Sequence, residues 1–498
     1  MSDGPVLATT AGYSDRYKHT VVLVLMLAYT CNSAGRSLIS IISQPMKAEL
    51  HLSDTELGLL GGTAFALLYA FSGIPVARMA ERLSRVNILT VALIAWSGLT
   101  ALFGAAATFA QLALMRIGVG IGEAGCSPCA HSLISDYFEP QRRASALSVY
   151  TLGISLGYIF VAVVAGYVSL HYGWRAACVA VGAPGIAVAV LLKLCVAEPR
   201  RGQSELLSAP PAASTAREPL SLAHELSELA AVARLLLLRW PVANIVIGLV
   251  LSSLAAYGVY AFVPAFLQRA FQLDYGSVGI VSALTGGLAV GIGLLAGGYV
   301  ADAIGRSDAR WYALVPAIGL ALATPLFVAT FRQRDWRAAA VLLALAGFFQ
   351  YASLGPTFGV VQNIVDRRRR ATATALIYIL LNVIALGCGP LFTGWAIDRF
   401  AQFDFTHPGA AQAPDALAAL FEGRGSLPSY ATVCPGGASR GLEPAAQLRC
   451  AATLAHASRQ GILLTVIFYA WGAVHYLLGA FGLGAEMHAA AARNRAAQ

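Results

Sequence analysis

Residues 112–135 read LALMRIGVGIGEAGCSPCAHSLIS, and this stretch decides the class of fold. It is apolar, glycine-rich and long enough for a membrane-spanning helix, yet it carries Arg116 and Glu123. A hydrocarbon core about 30 Å thick asks for about 20 largely apolar helical residues. An ionisable side chain at that depth is costly, so it faces a bundle interior or a water-filled cavity and commonly marks a substrate or proton path. Seven residues is about two helical turns, which places Arg116 and Glu123 on one face, roughly 10 Å apart along the axis. Arg36 adds a second intramembrane arginine in the first apolar segment. The competing reading is an ion pair that only pins helix packing. Such burial is rarely a net gain in stability, so the pattern favours a carrier.

The rest of the chain extends the pattern. Its 498 residues are 57% hydrophobic and only 12% charged, about half the charge of a soluble domain, and the mean hydropathy is +0.67. About a dozen apolar segments of spanning length follow one another, among them 111–135, 144–169 and 176–197. The expected fold is an all-α membrane protein with twelve transmembrane helices in two pseudo-symmetric six-helix bundles. The bundles occupy 19–197 and 241–484, with a tail at 1–18, a linker at 198–240 and a tail at 485–498. The second bundle includes a long polar loop, 398–459, and the linker ends in an amphipathic segment around 219–238, read as an interfacial helix or a solvated linker helix. The first apolar run lacks a cleavage pattern and is read as a retained helix.

Short loops on one side hold Arg78, Arg82, Arg85, Arg142, Arg143, Arg306, Arg310 and Arg367 through Arg370, whereas those on the other hold only Lys47, Arg175, Arg269, Arg332, Arg334 and Arg337. The excess marks the cytoplasmic side and puts both termini there. The net charge of +9 then reflects membrane orientation, and no soluble basic domain for nucleic acid is present. Six cysteines lie in apolar segments as small hydrophobes, Cys126 and Cys129 included. Cys434 and Cys450 fall in the outer loop, where a disulfide persists. No metal site or cofactor is expected. The histidines are scattered, and no phosphate-binding glycine loop precedes a lysine, which argues against an enzyme or a nucleotide-driven pump. A sensor would need a signalling domain, and the tail after 484 is short.

The two halves echo each other. Glu81, Arg82 and Arg85 follow the second segment, and Asp302 and Arg306 follow the eighth. Arg142-Arg143-Ala-Ser-Ala opens the fifth segment, and Arg369-Arg370-Ala-Thr-Ala the eleventh. The offsets, 221 and 227 residues, nearly agree, which indicates a duplicated six-span unit. Parallel repeats of this kind place a substrate site between the halves at mid-depth.

The acid-plus-arginine loops resemble the signature of the major facilitator superfamily. That resemblance implies a cytoplasmic gate built from Glu81, Arg82, Arg85, Asp302, Arg306, Arg143 and Arg370, with the acids pairing with arginines across it. SIISQPMKAELHLSDTELGLLGGTAFALLYAFSGIP, RIGVGIGEAGCSPCAHSLISDYFEPQRRASALSVYTLG and YGVYAFVPAF resemble its spinster branch, lipid and lysolipid carriers with bacterial members. In that branch an Asn-x-x-Asp-Arg pattern lines the cavity. Here Asn32 and Arg36 match, but Gly35 stands where the branch has its acid. Arg116 and Glu123 match the branch's fourth-span pair. The resemblance implies a proton-coupled carrier of an anionic amphipathic lipid such as a lysophospholipid, with Glu123 alone carrying the coupling. The alternative is a uniporter or exchanger of a small organic anion. Arg36, without the neighbouring acid, is expected to be unpaired and relieved by water, by snorkelling or by the substrate.

Tyr257, Tyr260, Tyr378 and Asn382 of the second half are each read as a cavity contact or as an interhelical hydrogen bonder. The expected partners are a small-molecule or lipid substrate, protons and the bilayer, with the chain acting as a monomer in a bacterial inner membrane.

Overall fold

The computed structural model describes residues 13–200, 222–305, 308–365, 369–407, 429–437 and 443–496. Every regular element among them is a helix. Lipid offers the backbone no hydrogen bonds, and a helix satisfies its own.

Helix α1 (Asp15–Leu50) begins at Ser14, whose hydroxyl caps it, and ends at His51 in the left-handed region. Ser53 and Glu56 then form a capping box that starts α2 (Asp54–Gly58). The chain passes through a π turn at Leu59–Thr63 into α3 (Ala64–Arg82), followed by α4 (Arg85–Leu102). The fourth expected span, 111–135, is not one helix. It divides into α5 (Phe109–Glu123) and α6 (Cys126–Tyr137) at Ala124-Gly125. The glycines that make this stretch a weak helix also let neighbours approach. A Cβ on Gly120 would stand 2.8 Å from the Phe65 carbonyl oxygen, and one on Gly125 would stand 2.7 Å from Val76 Cγ1.

The opposite happens next. After α7 (Pro140–Thr151), the fifth and sixth spans join in α8 (Gly153–Cys195), which turns at Gly173, φ +83°. Among the described residues, ten helices are long and apolar enough to cross a membrane by length and composition. The twelve expected spans correspond to these ten, one of them doubled about Gly173, together with the α5–α6 pair.

In the linker, α9 (Leu222–Leu238) buries Val232 and Leu236 against the second half. The second half continues with α10 (Trp240–Phe271) and α11 (Tyr275–Ser282), then a π turn at Ala283–Leu288 and α12 (Ala289–Gly305). The π turns of the second and eighth spans start 224 residues apart, at 59 and 283, between the two offsets seen in sequence. Helices α13 (Trp311–Arg332), α14 (Trp336–Tyr351), α15 (Leu354–Ile364) and α16 (Arg370–Leu380) follow. A third π turn, Leu381–Leu386, leads into α17 (Gly387–Thr406), and α18 (Pro444–Ala480) and α19 (Leu483–Ala496) close the chain. The loop expected at 398–459 is therefore shorter, because α17 and α18 extend past the apolar residues as polar helical turns. Cys434 and Cys450 are joined in a disulfide.

The halves meet through small residues toward the disulfide end of the bundle. A Cβ on Gly58 would lie 2.3 Å from the Pro390 carbonyl oxygen, one on Gly394 2.1 Å from that of Asp54, and one on Gly279 2.2 Å from that of Ala162. Helices α2 and α17, and α8 and α11, are thus in backbone contact across the two halves.

Candidate functional site

The charged centre lies where α1, α3 and α5 converge. Arg36 Nε donates to Glu123 Oε2 at 2.7 Å. This corrects the expectation of an unpaired Arg36. It also changes the partner of Glu123, because Arg116 turns elsewhere. Its Nε donates to the Leu60 carbonyl at 3.1 Å, Nη1 to that of Gly35 at 3.2 Å and Nη2 to that of Arg36 at 3.0 Å. Arg116 is buried, so it holds the backbone of α1 in place rather than facing open space. Phe65, fully buried, has both guanidiniums near its ring, Arg36 at 5.0 Å and Arg116 at 4.8 Å, and Tyr69 lies 4.6 Å from Arg36. Aromatic faces attract cations and so soften the repulsion of two buried arginines.

Glu123 is 0% exposed, and its Oε1 has no hydrogen-bond partner among the described residues. The Asn32 amide lies beside it but completes no hydrogen bond. A Cβ on Gly35 would stand 3.5 Å from Glu123 Oε1 and 3.6 Å from Thr100 Oγ1. The position of the missing acid is therefore next to Glu123, with room for a side chain to begin.

Arg36 differs from these buried neighbours. Its side chain is 27% exposed although protein surrounds it, and its Nη atoms make no hydrogen bond among the described residues. Tyr257 (39% exposed) and Tyr378 (51%) are likewise enclosed yet accessible, and both feel the charge of Arg36. Tyr29 and Tyr69 complete the surround. Arg36 thus has two nitrogens without a hydrogen-bond partner among the described residues, amid tyrosines of both halves. Asn382 Nδ2 donates to the Tyr378 carbonyl at 2.7 Å, one turn back along the chain. Tyr260 reaches the group only through Tyr351 among the described residues, since Tyr351 interacts with Tyr257. It packs beside Tyr351, 6.3 Å between ring centroids, and near Tyr158 of the first half, with its hydroxyl buried.

At the linker end, Arg85 does not reach across the halves. It binds Asp136 and Glu198 (Nε to Oε1, 2.7 Å), the Ser132 hydroxyl at 2.7 Å and the Pro199 carbonyl at 3.1 Å, all in the first half or the linker. Glu198 also accepts from Ser84 Oγ and the Val86 N–H, capping α4. Burial opposes its ionisation, but the Val86 N–H and the Arg85 guanidinium outweigh that and hold its carboxyl below the usual range. Arg143 donates to the carbonyls of Ser135 and Phe138, Asp302 accepts from the Tyr312 hydroxyl at 3.0 Å, and Arg82 is exposed. The cross-half pairing expected of Arg85 is replaced by contacts within its own half, which its buried position on α4 favours. The side chains of Glu81 and Arg370, and Arg306, lie outside the described residues.

A second charged cluster, at the disulfide end, escaped the sequence reading. Asp54, fully buried, receives Lys47 Nζ on Oδ2 at 2.9 Å and Arg269 Nη2 on Oδ1 at 2.7 Å. Asp398 of the second half accepts from the backbone N–H groups of Asp54 (3.0 Å) and Thr55 (2.8 Å), capping α2 from the other half. The signals available were the capping-box spelling Ser53-Asp-Thr-Glu56 and the cations at the inner edges of their loops.

These features define a membrane carrier of two like halves with a charged centre in the first and tyrosines of the second beside it. The model of the Major Facilitator Superfamily matches residues 25–390 and 245–482, and the chain belongs to that family, an integral membrane transporter and not an enzyme. It is 33% identical over 404 residues to the "MFS-type efflux pump" of Mycolicibacterium smegmatis, covering 80% of this chain and 90% of that protein. It is 26% identical over 419 residues to the "Probable L-galactonate transporter" of Escherichia coli, covering 82% and 89%. Its fold is similar to the crystal structure of a bacterial homologue of the human lysosomal transporter Spinster, in an inward-facing, unoccupied conformation. The TM-score is 0.78 at 29% identity, over 95% of this chain and 99% of that one.

Proposed function

We propose that the protein is a secondary transporter of organic anions that takes the anionic group on Arg36 and couples its movement to protons through Glu123. The observation that carries this reading is the exposed guanidinium of Arg36, held by one nitrogen to a buried carboxylate and free at the other two. Carboxylate and phosphate match that planar fork. The substrate anion and Glu123 then compete for one cation. Protonation of Glu123 releases Arg36 to the substrate, so one proton accompanies each anion. The orphaned Oε1 of Glu123 supports its taking a proton, since a buried acceptor without a donor is costly.

The substrate class put forward is a small hydroxylated acid. The accessible wall of tyrosines offers hydroxyls to such a molecule, and a relative bears the name of an L-galactonate transporter. A lysophospholipid is the second reading, favoured by the likeness to the spinster homologue. We place the disulfide end outside, both termini in the cytoplasm of a bacterium, and the two bundles at 19–197 and 241–484. The closed disulfide end and the accessible Arg36 correspond to a state open toward the linker end. Arg116 serves as a positioning residue, and one chain supplies the whole cavity. Uptake of labelled L-galactonate and of lysophosphatidylglycerol into proteoliposomes tests the reading. Arg36-dependent uptake of the first supports it, of the second supports the lipid reading, and of neither refutes both.

A further inference from the structure

The cluster at the disulfide end holds a carboxylate between two cations, an arrangement suited to a ligand anion. Arg269 is 6% exposed, and each of its nitrogens is engaged. Nε donates to Gln44 Oε1 at 2.7 Å, Nη1 to Ser458 Oγ at 2.8 Å, and Nη2 to Asp54 Oδ1 at 2.7 Å. Gln44 and Asp54 belong to the first half, whereas Arg269 and Ser458 belong to the second. Separation of the halves at this end therefore strips Arg269 of Gln44 and of its one carboxylate partner among the described residues, while Lys47 keeps Asp54. Asp398, the other acid of the cluster, is committed to the start of α2 and feels Lys47 and Asp54. Arg269 also lines a cleft of about 350 Å³ with Gln44, Gln268, Gln272, Asp274 and Tyr275, and the Asp274 carboxylate is engaged there by the Ser277 N–H (3.0 Å) and hydroxyl (2.7 Å). Gln268, 8% exposed, has neither amide atom in a hydrogen bond among the described residues. A buried cation and an idle buried amide beside one cleft are costly unless something else satisfies them once the halves part.

We propose that Arg269, with Gln268 of the same helix, is a second anion site at the disulfide end of the transport path. Asp54 occupies it in the closed state, and the carboxylate of a small hydrophilic acid occupies it when the halves part. One cation thus latches the closed state and receives the substrate in the open one. The inference rests on the reading of the protein as an organic-anion transporter, yet it involves residues distant in sequence from Arg36 and its own readout.

The experiment follows a thiol reporter, Leu273→Cys, in full-length protein in nanodiscs, with protein lacking the reporter as background. Asp54→Asn, which removes the charge at nearly constant size, should raise the labelling rate about tenfold, in the range of ordinary coupling between states. Millimolar L-galactonate should then slow labelling several-fold, whereas galactose, of similar size but uncharged, should not. Arg269→Gln in the same background should abolish that protection. Arg36→Gln should preserve it, because the outer site does not need the central one. If Asp54→Asn does not fold, Asp398→Asn loosens the same contact and takes its place. Absence of protection in the opened variant, protection that survives Arg269→Gln, or protection lost with Arg36→Gln would each overturn the proposal. Loss of Arg36-dependent uptake with protection at Arg269 intact would instead refute the central reading alone.

Discussion

Arg36 Nε and Glu123 Oε2 stand 2.7 Å apart, joining α1 to α5 by a charge pair in which the acid is fully buried and the base partly open. The asymmetry matters. In the proposed cycle Glu123 gives up its partner by taking a proton, and Arg36 then takes the substrate anion in its place.

Glu123→Gln keeps the size of the side chain and removes its charge. Counter-exchange of substrate should persist while the response to a pH gradient disappears. Gradient-driven uptake at the parental rate in this variant would remove Glu123 from the coupling.

Arg36→Ala should weaken substrate binding by about one and a half to three and a half orders of magnitude, since truncating one side of a buried charge pair costs about 2–5 kcal/mol. It should also lower thermal stability, because Glu123 is left buried without its cation. Arg36→Lys should recover stability better than binding, as an ammonium cannot present two parallel donors. Calorimetric titration alongside thermal melts separates the two effects.

Gly35→Asp would place a carboxyl beside Glu123, whose Oε1 lies 3.5 Å from where its Cβ would be. Two carboxyls so close hold one proton between them at neutral pH. The new acid also competes with substrate for Arg36, so affinity should fall at neutral pH and recover in part on acidification. Gly35→Asn is the control for size. Equal loss of folded protein in both variants would mean that Gly35 serves packing alone.

Glu198 ties the linker to α4 and Arg85. Its carboxyl is held below the usual range, so its contribution is fully present above the unfolded-state pKa and is lost as pH falls through the lower folded value. Amide exchange at the start of α4 should therefore quicken only in acid. In Glu198→Gln it should be fast at neutral pH as well. Unchanged exchange in that variant would assign the tie to Arg85–Asp136.

The bundle was legible because apolar runs of spanning length and the duplicated Arg-rich loops are local patterns. The break at Ala124-Gly125 was not, since it depends on how closely α3 and α4 approach the glycines. The residues of the charged centre were legible individually, but their pairing was not. Spacing along one helix suggests Arg116 with Glu123, whereas the register between α1 and α5 brings Arg36 instead. Asp54 and Arg269 were missed for the same reason. They lie 215 residues apart in sequence and meet only where the halves close.

The most direct test of the central claim is proton movement during substrate uptake, read by a pH dye sealed inside proteoliposomes. An inward gradient of L-galactonate, or of lysophosphatidylglycerol under the second reading, should acidify the lumen. Glu123→Gln should support exchange without acidification, and Arg36→Ala should do neither. No acidification in the parent protein, or equal acidification in Glu123→Gln, would contradict the exchange of Glu123 for substrate on Arg36.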